Sequence, residues 1–278
     1  MTKKTDIVKS DDTEIPAYLL ALQDQGAATL DDNFDGSDVV IPTIKLLQGT
    51  SDQCINFEAA SAGMFWHTGM DIPLGQNIEF TICSRRKKFL LQAPMDDGQG
   101  VLARSEDAVT WDRTGEWTVQ IDKKTKATWT IDDLNVEASG LTAWGTSDPD
   151  DEKSLPAATI FYDYLVLVKG HYDLGPAMIS LARSAIKKAK KGLNDKINLH
   201  AQNGRPLQAV QFGASVATEQ NDSGQEFFNW QFGNAGFSDE ETYKHAVEVG
   251  GLLKSYVASE EGKGEDGAAK AKAKGDNF

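Results

Sequence analysis

The residues best equipped for chemistry are cations set beside aromatic rings. Arg85, Arg86, Lys87, Lys88 and Phe89 are consecutive, and residues 85–92 hold four basic side chains and no acid. Lys123, Lys124 and Lys126 accompany Trp117 and Trp129 in GEWTVQIDKKTKATWTI. Lys187, Lys188, Lys190 and Lys191 form a third group. Cations neutralise phosphates and aromatic faces stack on bases at about 1–3 kcal/mol each, so the pairing suits a single-stranded nucleic acid. The expected phosphate contacts are Arg85, Arg86, Lys87, Lys88 and Lys123. The expected stacking faces are Phe89, Trp117 and Trp129. Lys187 and Lys188, with Lys190 and Lys191, make a second candidate surface.

Other chemistries find little support. There is no GxxxxGK[ST], no GxGxxG between a strand and a helix, and no HExxH. Cys54 and Cys83 are the only cysteines, and four histidines are scattered, so no disulfide framework, Cys-rich zinc module or other metal site is expected. Acidic pairs occur at Asp96–Asp97, Asp132–Asp133 and within Asp148 to Glu152. A metal-dependent nuclease would need such acids to converge, and adjacent residues on a strand point apart. The expectation is a binding protein, not an enzyme, with no cofactor.

The elements that must position these residues sit in an acidic chain of 278 residues with a formal net charge of −14. Hydrophobic residues make up 40% and charged residues 25%, the composition of a folded protein. Positive charge is local. Residues 93–160 hold 6 basic and 14 acidic side chains, whereas residues 161–206 hold 8 basic and 3 acidic. No run of about 18 apolar residues exists to span a membrane, and the first residues lack an apolar leader core, so a cytoplasmic location is expected.

Residues 1–38 read as a mobile acidic arm, with one apolar stretch over 15–22 that could form a helical turn. Residues 39–257 read as a single domain. Within it VVIPTIKLLQ has strand character, AGMFWHTGMDIPLG reads as turns, and NIEFTICSRRKKFLLQ is the clearest strand because Ile78, Phe80 and Ile82 alternate with polar neighbours. Residues 93–158 read as an elaboration built on the 115–131 hairpin. ATIFYDYLVLVKG is apolar enough for the middle of a sheet. Met178, Leu181, Ala182, Ala185, Ile186 and Ala189 fall at helical spacing and predict a helix over 177–193. Two strands joined by NDSG follow, then a helix from residue 238 with Ser238 as its cap and Glu241 three residues on. Residues 258–278 are Gly, Ala and charge, a flexible tail ending on Phe278. The predicted fold is β-rich α+β: an OB-like five-stranded barrel with an inserted hairpin elaboration, a middle helix and a C-terminal helix.

The acidic chain, the barrel-like element order and the tail closing on Phe278 resemble tailed-phage single-stranded DNA-binding proteins of the replication machinery. IPTIKLLQGTS, SAGMFW and FYDYLVLV add a loose likeness to phage proteins encoded near replication and recombination genes. The resemblance implies a host-cytoplasmic protein of phage replication or recombination that binds single-stranded DNA and recruits replication or recombination proteins through Phe278. A homo-oligomer is compatible with it. This tail departs from the family pattern in carrying Lys263, Lys270, Lys272 and Lys274. The rival reading is a phage protein-interaction or virion-associated protein without DNA binding, and behind it the nuclease.

Overall fold

The computed structural model describes residues 41–122, 125–221 and 224–251. The N-terminal arm, the apolar stretch over 15–22, Lys123, Lys124 and the tail with Phe278 lie outside the described residues.

Three short strands come first: β1 (Ile44–Leu46), β2 (Phe65–His67) and β3 (Ile72–Gly75), antiparallel in that order, with helix α1 (Asp52–Asn56) after β1. The strands β4 (Asn77–Gln92), β5 (Val101–Ser105), β6 (Gly115–Gln120), β7 (Lys126–Ile131), β8 (Ala158–Val168) and β9 (Ala177–Ala182) follow. Helix α2 (Ser184–Ala189), a π turn (Lys190–Asn194) and helix α3 (Asp195–Gln202) form one continuous helical passage. It leads to β10 (Val210–Gln220), β11 (Glu226–Phe237) and helix α4 (Glu240–Gly250).

The large sheet runs β11-β10-β4-β8-β9 with every neighbouring pair antiparallel, and β5 pairs antiparallel with the far end of β4. Both faces of its middle are buried. Phe80, Ile82, Tyr164, Val166, Ile179 and Phe212 face the main core, which the helical passage covers with Ile186, Ala189 and Leu193. Cys83, Leu165, Leu167 and Met178 face the other way, against Ala246 and Val249 of α4. Burial pushes the Cys83 thiol up to about 12, so it is inert at neutral pH. The elaboration has its own core of Trp111, Val119, Trp129 and Ile131, beneath the β6–β7 hairpin. Each such side chain contributes about 1.5–3 kcal/mol of burial.

A register shift sits in β4. Ile82 pairs with Val166 and Ser84 with Leu165, so Cys83 is an extra residue. Such a bulge reverses the side to which all later side chains point.

The edge of the sheet meets β1. Thr43 bridges Met178 in parallel, and the Met178 N–H donates to the Pro42 carbonyl at 2.7 Å. On the other side the Gln48 amide acts as a strand: its Nε2 donates to the Phe228 carbonyl at 2.9 Å, and its Oε1 accepts from the Phe228 N–H at 3.0 Å.

Three element predictions change. The helix expected over 177–193 begins at Ser184, because Ala177–Ala182 pairs with β8. There Ala177, Ile179 and Leu181 face the main core and Met178 the other side, an alternation that the helical spacing masked. The segment expected as turns before residue 77 contains the β2–β3 pair. Finally, α4 is capped by Asp239, whose side chain accepts from the Thr242 N–H at 2.8 Å. Ser238 instead bonds the Thr81 hydroxyl at 2.9 Å.

Candidate functional site

After the bulge, Arg85 pairs with Tyr164, Arg86 with Asp163, Lys87 with Tyr162 and Lys88 with Phe161. Paired residues on neighbouring strands share a face. The four consecutive cations therefore divide between two environments.

Arg86 and Lys88 point to the outer face. Asp163, fully buried there, accepts from Arg86 Nε at 3.1 Å and lies 2.8 Å from Lys88 Nζ. The Ser180 hydroxyl donates to the same carboxylate, and Glu106 takes Arg86 Nη1 at 2.7 Å. The side chains of Arg86 and Lys88 are only 12% and 18% exposed. Two cations and two acids thus neutralise one another, with little left to meet a ligand.

Arg85 and Lys87 point to the main-core side, into a cleft of about 360 Å³ between the sheet and the helical passage. Tyr162, Tyr164, Asn194 and Asn198 line it with them; Arg86 borders it, and among the described residues no acidic side chain does. The π turn sets Asn194 so that its Oδ1 accepts from Arg85 Nη1 at 3.0 Å and from the Tyr164 hydroxyl at 3.1 Å. Burial raises the Tyr164 pKa, so the phenol keeps its proton and remains that donor. With its oxygen occupied, Asn194 has its amide N–H groups to offer. Lys87 Nζ lies 5.7 Å from the centre of the Tyr162 ring. The cleft therefore offers two cations and amide donors without a competing carboxylate, the donor set for an anion such as phosphate.

The helical passage adds charge. Lys187, Lys190 and Lys191 are exposed, whereas Lys188 pairs with Glu219. The Lys188 and Asn229 hydrogen bonds hold the Glu219 carboxyl below its usual range. Arg183, exposed at the junction of β9 and α2, has φ +52°, a conformation that strains a residue with a side chain.

The expected stacking residues fare differently. Trp129 is 4% exposed, and its indole N–H donates to the Thr146 carbonyl at 3.0 Å. It is a core residue, which corrects the stacking assignment: the hairpin turns its odd-numbered face onto the second core. Trp117, directly opposite, packs against that core and lies over Gly115, where a Cβ would come within 2.9 Å of the ring. Phe89 is partly buried against the same cluster. Lys123 lies outside the described residues. Sequence reasoning missed Asn194, Asn198 and the two tyrosines. The tyrosines alternate within a strand that reads only as buried, and the asparagines carry no signal until the π turn places Asn194 and the helix after it places Asn198. Among the described residues no group of three or more His, Cys, Asp or Glu side chains is arranged to hold a metal, and no helix is long and apolar enough to cross a membrane.

Fold and cleft together define a β-rich α+β protein with a cationic cleft beside a central strand. The model of the Pam3 phage gp34-like protein family matches residues 9–258, and the chain belongs to that family of phage proteins. No curated protein and no solved structure matches it.

Proposed function

We propose that the chain is a phage single-stranded DNA-binding protein of replication or recombination, and that the Arg85–Lys87 cleft takes the phosphate backbone. The observation that carries this is the separation within β4: two cations are committed to Asp163 and Glu106, while two face an acid-free cleft with amide donors.

The sheet order supports an OB-like barrel. Numbering β4, β8, β9, β10 and β11 as strands one to five, the order reads 5-4-1-2-3, with the helical passage between strands three and four. OB barrels bind oligonucleotides on the face of strands two and three and on the loops 1–2 and 4–5. Those places correspond here to β8, β9, the elaboration and the turn after β10. The exposed lysines of the helical passage add to the field that draws a polyanion in. Recruitment of replication or recombination proteins through Phe278 completes the reading. It is a binding function and needs no cofactor.

Fluorescence anisotropy with labelled single-stranded and duplex DNA across a salt series tests it. Single strands bind in preference, and affinity falls with salt by about 0.7 in log–log slope per phosphate neutralised. Equal affinity for duplex, or affinity independent of salt, overturns the reading. Strand cleavage on adding magnesium or manganese would replace it with the nuclease.

A further inference from the structure

Trp144 is the most exposed aromatic side chain among the described residues, at 68%. A tryptophan buries about 150–250 Å² when it docks, and such rings dominate interface energies. Its loop is firmly built. The Gly145 N–H donates to the Ser154 carbonyl at 2.8 Å, and the Thr146 hydroxyl donates to the Ala143 carbonyl at 2.7 Å and accepts from the Ala157 N–H at 2.9 Å. Gly145 has φ +81°, and a Cβ there would lie 2.7 Å from the Glu152 carbonyl oxygen, so the ring's neighbour must be glycine. A ring held out on an ordered loop loses little entropy on binding.

The surroundings of Trp144 select the occupant. Leu155, 47% exposed, belongs to the same loop. Asp150, Asp151 and Glu152 are exposed and have no ion-pair partner among the described residues, and with the exposed Lys153 beside them the segment keeps an acidic excess of three carboxylates over one ammonium. Phosphates are repelled from such a surface, and a cationic protein face is drawn to it. The chain carries one. Residues 161–206 hold 8 basic and 3 acidic side chains, and within them Lys187, Lys190 and Lys191 are exposed without an ion-pair partner among the described residues.

We propose that Trp144 and the Asp150–Glu152 loop of one copy dock on the Lys187–Lys191 helical face of a second copy. The two surfaces differ, so the contact is head-to-tail and extends into a ring or a row rather than stopping at a symmetric pair. The contact does not depend on DNA binding.

Sedimentation velocity of the full chain without DNA, at low and high salt, tests it. Reversible self-association that weakens as salt rises is expected. Trp144→Ala weakens it by roughly tenfold or more, with circular dichroism unchanged because the ring is exposed. Reversing the loop (Asp150→Lys, Asp151→Lys, Glu152→Lys) or the helix (Lys187→Glu, Lys190→Glu, Lys191→Glu) abolishes it. Mixing the two reversed chains restores association, since the basic loop of one then meets the acidic helix of the other. A chain that stays monomeric throughout, or one whose association ignores Trp144 and both reversals, overturns the proposal.

Discussion

The two faces of β4 carry the same chemistry and meet opposite fates. Arg86 and Lys88 close on a buried carboxylate, and Arg85 and Lys87 open on a cleft that no acidic side chain among the described residues lines. Local charge is therefore a poor guide to where an anion binds. A cation contributes to binding only where its neighbours leave its charge unspent, and an interior ion pair costs more when one partner is lost than it contributes when whole.

The difference can be broken most severely at Asp163. Asp163→Ala leaves Arg86 and Lys88 without their shared anion, and urea titration will show the unfolding free energy reduced by about 3–5 kcal/mol. An unchanged midpoint would mean that the outer face is not held by this carboxylate.

Next in size is the contrast between double substitutions. Arg85→Ala with Lys87→Ala lowers single-strand affinity and reduces the salt slope by about 1.4, two phosphates at 0.7 each, with stability little changed. Arg86→Ala with Lys88→Ala does the reverse, lowering stability and leaving the slope of the folded protein intact. Equal loss of slope in both pairs would erase the distinction between the faces.

Asn194→Ala is milder. It removes the acceptor shared by Arg85 and Tyr164, so Arg85 loses its aim but not its charge. Affinity falls a few-fold, about the 0.5–1.5 kcal/mol of one hydrogen bond, and the salt slope does not move.

The smallest effect lies off both faces. His67 is buried, its Nδ1 accepts from the Met70 N–H at 3.3 Å, and its Nε2 has no hydrogen-bond partner among the described residues. Burial, with His171 nearby, holds its pKa below the ordinary value against the opposing pull of Asp71. The unfolded chain therefore takes up a proton near pH 6.5 that the folded chain refuses, and stability present above that pH is lost as pH falls below it. Denaturation midpoints read from pH 7 to 5 will decline, and His67→Gln will flatten the decline.

Much of the scaffold was legible. The long strand over 77–92, the 115–131 hairpin, the central apolar strand and the last hairpin announce themselves through alternation and turn residues. The basic run was equally plain. Its division was not, because it depends on one bulged residue. Continuing the inward series Ile78, Phe80, Ile82 would send Arg86 and Lys88 to the core side; the extra Cys83 sends Arg85 and Lys87 instead. Nor could the run reveal that Asp163, distant in sequence, waits on the outer side. Trp117 and Trp129 misled for a related reason: alternation says that two rings share a face, but not which face has water.

The Gln48 clamp bears on how the chain folds. Gln48 and Phe228 are 180 residues apart, so the two bonds that tie the segment after β1 to β11 reward a very large loop closure. The entropy of such a closure is met before any contact repays it. Contacts of so large a sequence separation are slow to form, so the seam is expected to close after the local β10–β11 hairpin. Pulse-labelled refolding reads this directly: the Phe228 amide hydrogen becomes protected later than its neighbours in that hairpin.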